Sequence, residues 1–353
     1  MRIIDALTTS QRLVGAAAAA LVAGLVIAVS CGGANVQPGP EPTVAGCGTK
    51  AIFILANPGG LSCLDEAGRS LGKVVKLPDQ SAPSTPAMHP SGTAFAFALT
   101  QQPDPKRGFG SDVYMVNLDG SNLHAIVLHE DNNVFYASPR FDSSGNVLYV
   151  HRRAAIITNG SYSGNEDNIV RIDLRTGESK RIIKDGADPT ISPDGKMIVY
   201  VHLKDSQIDA LWRADIDGSN PGPFLRTKDA FWYLQAPRFS PTDCQLAFSA
   251  AGHTVGESSG GADVAVRHRG SASGKEAHLS IPSEIYLVSC DGSAIKSVGQ
   301  TGDDVVPAWS PDGAKIAYVG SGGFFVLDVK SQSTRTVANG QDFFFGDLLW
   351  LKQ

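Results

Sequence analysis

Two arginines hold the positions best suited to recognition chemistry. Arg140 and Arg238 stand in matching phrases, Pro139-Arg140-Phe141 and Pro237-Arg238-Phe239. On a strand, the packing phenylalanine beside each one turns the guanidinium to the opposite face, where its fork of donors suits a carboxylate or phosphate bidentately. The alternative is a solvated polar position, filled by Thr190 and Ala308 in other copies of the phrase. Three aromatic clusters are further candidates: Phe135-Tyr136, Phe231-Trp232-Tyr233 and Phe343-Phe344-Phe345. Exposed, such rings anchor proteins, peptides or sugars; buried, they wedge neighbouring elements together.

Catalytic and metal chemistry find little to work with. His151, His202, His253, His268 and His278 match no ligand spacing, and Asp215-Ile216-Asp217-Gly218 lacks the rest of a calcium loop. Gly160-Ser161-Tyr162-Ser163-Gly164 approaches a nucleophile elbow but centres on Tyr162. No catalytic residue, metal or cofactor is therefore expected. The five cysteines divide into Cys31 and two pairs, Cys244 with Cys290 and Cys47 with Cys63, which antiparallel strands would bring together as disulfides; four buried thiols are the alternative.

What must position these residues is a repeat. The run Pro307-Ala308-Trp309-Ser310-Pro311-Asp312-Gly313 recurs from Pro86, Pro139, Pro189 and Pro237, at steps of about 53, 50, 48 and 70 residues that signal a propeller or solenoid. Each copy precedes two apolar β runs, such as Met197-Ile198-Val199-Tyr200 and Leu211-Trp212-Arg213-Ala214, and Asp-Gly turns at 119–120, 217–218 and 291–292 close the second run. The unit is one four-stranded propeller blade. Leu348-Leu349-Trp350 is a first strand without a blade, and the strands beginning at Ala51, Gly60 and Gly72 are a blade without a first strand. Joining them predicts an all-β, six-bladed propeller closed by a clasp of the two chain ends.

These phrases resemble the WD-like propeller repeats of the TolB type, over residues 48–353. The resemblance implies a propeller; the separate α/β domain that precedes the propeller in TolB has no counterpart between residues 31 and 48.

Residues 1–30 read as a signal peptide: Arg2 and Arg12, an uncharged run from Leu13 to Val29, then Ser30-Cys31. Small residues before a cysteine resemble a lipobox, which makes Cys31 the lipidated residue; an uncleaved membrane anchor is the alternative. Residues 31–47, rich in Gly and Pro, read as a tether. By resemblance, Gly32 in place of Asp favours the outer membrane or periplasm. Thirty basic against 35 acidic residues, without a basic cluster, exclude a nucleic-acid footprint.

Tight turns place one face of the disc in short loops and the other in long insertions: Thr100 to Ser111, His151 to Asp167, His202 to Asp209 and Ala251 to Pro282. The expected function is a monomeric, non-enzymatic, lipid-anchored envelope protein that binds a protein or peptide partner through the looped face. A carbohydrate- or small-ligand-binding module, with Trp232 and Tyr233 as stacking platforms, and a propeller lyase or hydrolase are the alternatives.

Overall fold

In Ser-Pro-Asp-Gly, every residue has a task. The Gly195 N–H donates to the Ser192 carbonyl at 2.8 Å, closing the turn, while the Ser192 N–H donates to the Met197 carbonyl across the hairpin. The Ser192 hydroxyl donates to Asp194 at 2.6 Å and accepts the Met197 N–H, and Ser310 repeats both contacts with Asp312 and Lys315. Pro presets φ at the second position, and Gly195 and Gly313 both stand at φ 70°, a region that favours glycine.

The structure, a computed structural model, describes residues 46–226, 230–253, 283–320, 322–340, 343 and 346–352. All belong to one compact unit, Val44–Gln353. It is all-β and propeller-like, built from four-stranded antiparallel sheets. The first sheet joins β1 (Phe53–Asn57), β2 (Gly60–Leu64) and β3 (Ser70–Lys73) to the last strand, β24 (Asp347–Trp350), with Phe53 opposite Trp350. β4 (Ala82–Met88), β5 (Ala94–Thr100), β6 (Gly110–Asn117) and β7 (His124–Val127) pair in order, as do β8 (Val134–Phe141), β9 (Val147–Thr158), β10 (Ser161–Asp173) and β11 (Ser179–Lys184). A two-residue parallel contact, Gly110 to Val134 and Ser111 to Phe135, fuses these two sets into one eight-stranded sheet.

Three sheets of four complete the unit. They are β12 (Gly186–Ile191), β13 (Met197–Lys204), β14 (Gln207–Asp215) and β15 (Gly222–Pro223); β16 (Ala230–Phe239), β17 (Gln245–His253), β18 (Glu284–Ser289) and β19 (Lys296–Gln300); and β20 (Ala308–Trp309), β21 (Lys315–Gly320), β22 (Gly323–Asp328) and β23 (Thr334–Asn339).

Middle strands such as Ala94-Phe95-Ala96-Phe97-Ala98-Leu99 are apolar at successive positions because both faces are covered. Phe95 and Phe97 pack on Ile54 and Leu61 of the first sheet, whereas Ala96 faces the other way, toward Leu148 and Val150. The same stacking continues from Tyr149 to Tyr200, from Val201 to Phe248, and from Ile285 to Ile316. It returns to its start where Val319 and Phe324 meet Phe53 and Leu55.

Both cysteine pairs are disulfides, Cys47–Cys63 and Cys244–Cys290. Cys47, expected at the end of the tether, is thus tied to β2, and its N–H donates to the Leu118 carbonyl at 2.7 Å. Two of the four insertions are not loops. β9 and β10 run on through residues 151–167 as a hairpin arm, and β13 and β14 turn within two residues, Asp205 and Ser206. Left-handed pairs explain both: Asn159 (φ 52°) with Gly160 (φ 76°), and Asp205 (φ 51°) with Ser206 (φ 61°), the twist that tight hairpins require. Of the longest insertion, residues 251–253 end β17 and residues 254–282 lie outside the described residues.

Candidate functional site

The first strand of each sheet starts at the axis of the unit, and a recurring irregularity sets what it shows there. β4, β8, β12 and β16 each slip register just before the motif proline, between Ser84 and Ala87, Ala137 and Arg140, Ala187 and Thr190, and Gln235 and Arg238. The residue ahead of each proline is left-handed: Thr85 (φ 48°), Ser138 (φ 50°), Asp188 (φ 47°) and Ala236 (φ 52°). Four non-glycine residues in that region on adjacent strands store backbone strain, which concentrates where a surface is shaped for contact.

Polar contacts then run from strand to strand around the axis. The Thr85 N–H donates to Asp347 at 2.7 Å, and the Ser138 N–H to the Thr85 hydroxyl at 3.0 Å. Ser138 hydrogen-bonds Asp188, which holds the Arg238 guanidinium at 2.9 Å. The Trp309 indole donates to the Arg238 carbonyl at 2.9 Å, carrying the connection to β20. Arg238 is therefore engaged internally and does not offer the free grip expected of it.

Arg140 is different. Its guanidinium donates to the carbonyl of its own neighbour Pro139 at 2.6 Å, and among the described residues no carboxylate forms an ion pair with it. Burial, with the like charge of Arg238, presses it down to about 9, so it stays charged at neutral pH. Burial pushes the Asp188 carboxyl up, but Arg238 and Arg140 outweigh this and hold it below its ordinary value. Asp347 goes the other way: burial lifts it above its ordinary value despite the Thr85 bond. A cavity of about 250 Å³ between β8, β12 and β16 has Arg140, Thr190 and Ser240 in its wall.

Farther along β16, the Tyr233 hydroxyl contacts Gln235 at 2.8 Å and Asp304 at 3.3 Å. Burial and the Asp304 charge raise the Tyr233 phenol, and burial raises Asp304. Tyr233 is thus half-buried and hydrogen-bonded.

Several expected anchors pack instead of facing solvent. Tyr136 is 6% exposed, with its hydroxyl on Glu130 at 3.1 Å. Phe231 lies edge-on against Tyr286 and Phe248, and Phe343 is buried near Phe324. Phe135 is half-buried, edge-on to Phe109 at 5.4 Å. The reason is shared: rings at the start of a first strand or just ahead of it fill the wedge between sheets, where apolar area leaves water. Trp232 lies in β16 with its side chain outside what is described; Phe344 and Cys31 lie outside the described residues.

Of the five histidines in the insertions, His151 and His202 have described side chains, while the side chain of His253 and all of His268 and His278 lie outside what is described. His151 binds Asp167 at 2.7 Å, while His202 binds Asp209 at 2.9 Å and stacks on Trp212. Among the described residues no group of three or more His, Cys, Asp or Glu side chains could hold a metal.

The missed feature is the β9–β10 arm. Ile156 is 45%, Ile157 53% and Tyr162 51% exposed near its tip, three of the five exposed large hydrophobics among the described residues. Its signal was the Asn159-Gly160 dipeptide after a β-branched run, the strongest short hairpin cue.

Neither a family model nor a curated protein sequence matches the chain. Among solved structures, TolB from Acinetobacter baumannii matches with a TM-score of 0.56 at 16% identity, over 85% of this chain and 66% of that one. The fold is that of a TolB-like β-propeller. This chain spans about two thirds of the length of that TolB structure. A putative TolB from Agrobacterium tumefaciens matches at 0.48 and 17% identity, over 75% of this chain and 88% of that one. An oligogalacturonate lyase from Vibrio parahaemolyticus also matches at 0.48, with 12% identity over 85% of this chain and 84% of that one. At these identities the likeness to TolB is one of fold.

Proposed function

We propose that this TolB-like propeller is an exported, monomeric, non-enzymatic protein of the bacterial envelope that binds a protein partner through the face bearing the β9–β10 arm. The observation that carries the reading is the arm: a two-stranded projection with exposed Ile156, Ile157 and Tyr162 at its end. An exposed apolar group on an edge-bearing hairpin costs solubility unless something covers it. Two disulfides favour an oxidising compartment, in keeping with residues 1–30 as a signal peptide, 31–47 as a tether and Cys31 as the lipid anchor.

The ring is read as six blades. The eight-stranded sheet counts as two, since only the contact at Gly110 and Ser111 joins its halves, and apolar packing links each four-strand set to the next and the last to the first.

A photo-cross-linking side chain placed at Ile157, in cells, tests the partner reading, with the same group at Asp194 on the opposite face as control. A discrete adduct from 157 and none from 194 is expected; equal labelling from both positions, or from neither, sinks it. A second reading, a small anionic ligand at the axis, is favoured by Arg140 and the cavity in whose wall it stands. Anion-dependent protection lost in Arg140→Gln would support it.

A further inference from the structure

Between the faces of the β4–β7 and β8–β11 sets the two layers splay apart, leaving an open cavity of about 730 Å³, a size that suits small ligands. Its floor is aliphatic: Val127 of β7 with Val170 and Ile172 of β10, all in the core between the two sets. Its rim is a chain of alternating charges. Arg152 pairs with Glu130 at 2.5 Å and lies 3.9 Å from Glu166, and Arg181 pairs with Glu166 at 3.1 Å. Two carboxylates against two guanidinium groups leave the rim without net charge.

One atom of the lining is out of place in a finished core. Asn168, on β10, is 2% exposed, and its amide N–H serves Glu166. Its Oδ1 is the buried side-chain polar atom without a hydrogen-bond partner among the described residues. A buried acceptor left unpaired destabilises a fold, and natural proteins rarely keep one without use. Asn168 lines the open slot beside its aliphatic walls, so a ligand that fits brings one N–H donor next to an aliphatic group and carries no net charge.

We propose that this slot binds a neutral peptide segment, with an aliphatic side chain on Val127, Val170 and Ile172 and a backbone N–H donating to Asn168 Oδ1. It lies apart from the axis and depends on the partner reading only for the source of the peptide. The test uses the full chain and no partner, so the two readings fail separately. N-acetyl-leucine N-methylamide is titrated into methyl-labelled protein and followed by NMR.

Saturable shifts confined to the methyls of Val127, Val170 and Ile172 are expected. Asn168→Leu should weaken them about tenfold, since it removes the unpaired acceptor together with the N–H that serves Glu166. Ser179→Trp, on an exposed residue of the wall, should block the slot and abolish the shifts. The proposal is overturned if the wild type shows no shifts at these methyls, if Asn168→Leu binds the probe as the wild type does, or if Ser179→Trp leaves binding unchanged.

Discussion

Asp188 and Asp347 stand at matching places on β12 and β24 yet differ in acidity, because Arg238 is bonded to the first and a single backbone N–H to the second. A carboxyl raised in the folded state binds its proton more tightly there, so Asp347 costs stability as pH rises above its unfolded value, about 3.9. Asp347→Asn keeps an acceptor for Thr85 and removes that cost. It should melt a few degrees higher at neutral pH, with the gain vanishing as pH falls below about 3.9; thermal melts across pH check both halves. Asp188 has the reverse sign: its contribution is present above the unfolded value and fades as acid takes the folded pKa. Arg238→Met strands that carboxylate and should cost about 3 kcal/mol in chemical denaturation, part of which Asp188→Asn in the same chain restores. Arg140 and Arg238 were legible as matching positions, but their different fates were not, since Asp188 lies 50 residues from Arg238 and follows no local pattern.

At the scale of elements, glycines that look alike in sequence differ in what lies beside them. Gly218 and Gly292 close Asp-Gly turns, and a Cβ on either would strike the backbone of a neighbouring segment, Ile182 and Phe224 respectively. Gly160, at the tip of the arm, has open space around it. Gly218→Ala should therefore lower global stability by about 2 kcal/mol. Gly160→Ala should leave global unfolding unchanged and speed hydrogen exchange in residues 152–165 alone, because only a local left-handed turn is strained. Strands and turns were readable because period and turn chemistry are local properties. The arm reads as a loop in sequence because polar Arg152, Arg153, Asn165 and Glu166 break the apolar pattern, although β9 and β10 pair through all four.

For the molecule as a whole, stability should depend on the two chain ends meeting. Removing residues 347–353 takes β24 from β1 and uncovers Phe53, which packs on Trp350 and Phe324. Loss of the whole ring in one transition is expected, read by circular dichroism; persistence of a folded remainder would show that the sheets stand independently. The disulfides close separations of 16 and 46 residues, so their loss should cost about 3 and about 4 kcal/mol on the chain-entropy account. Cys47→Ser with Cys63→Ser, and Cys244→Ser with Cys290→Ser, compared by denaturant midpoint, test that order.

The sequence by itself determined the repeat, its four-strand unit, the turns and the sharing of one sheet by both chain ends, and it offered the two cysteine pairs that the structure joins. Each follows from short-range rules of backbone geometry repeated at a steady period. Only the tertiary structure decided which aromatic rings are buried, that Asp188 occupies Arg238 while Arg140 forms no ion pair among the described residues, and that among them Asn168 Oδ1 lies unpaired between two layers. These depend on how neighbouring sheets approach one another, a distance that no spacing along the chain encodes.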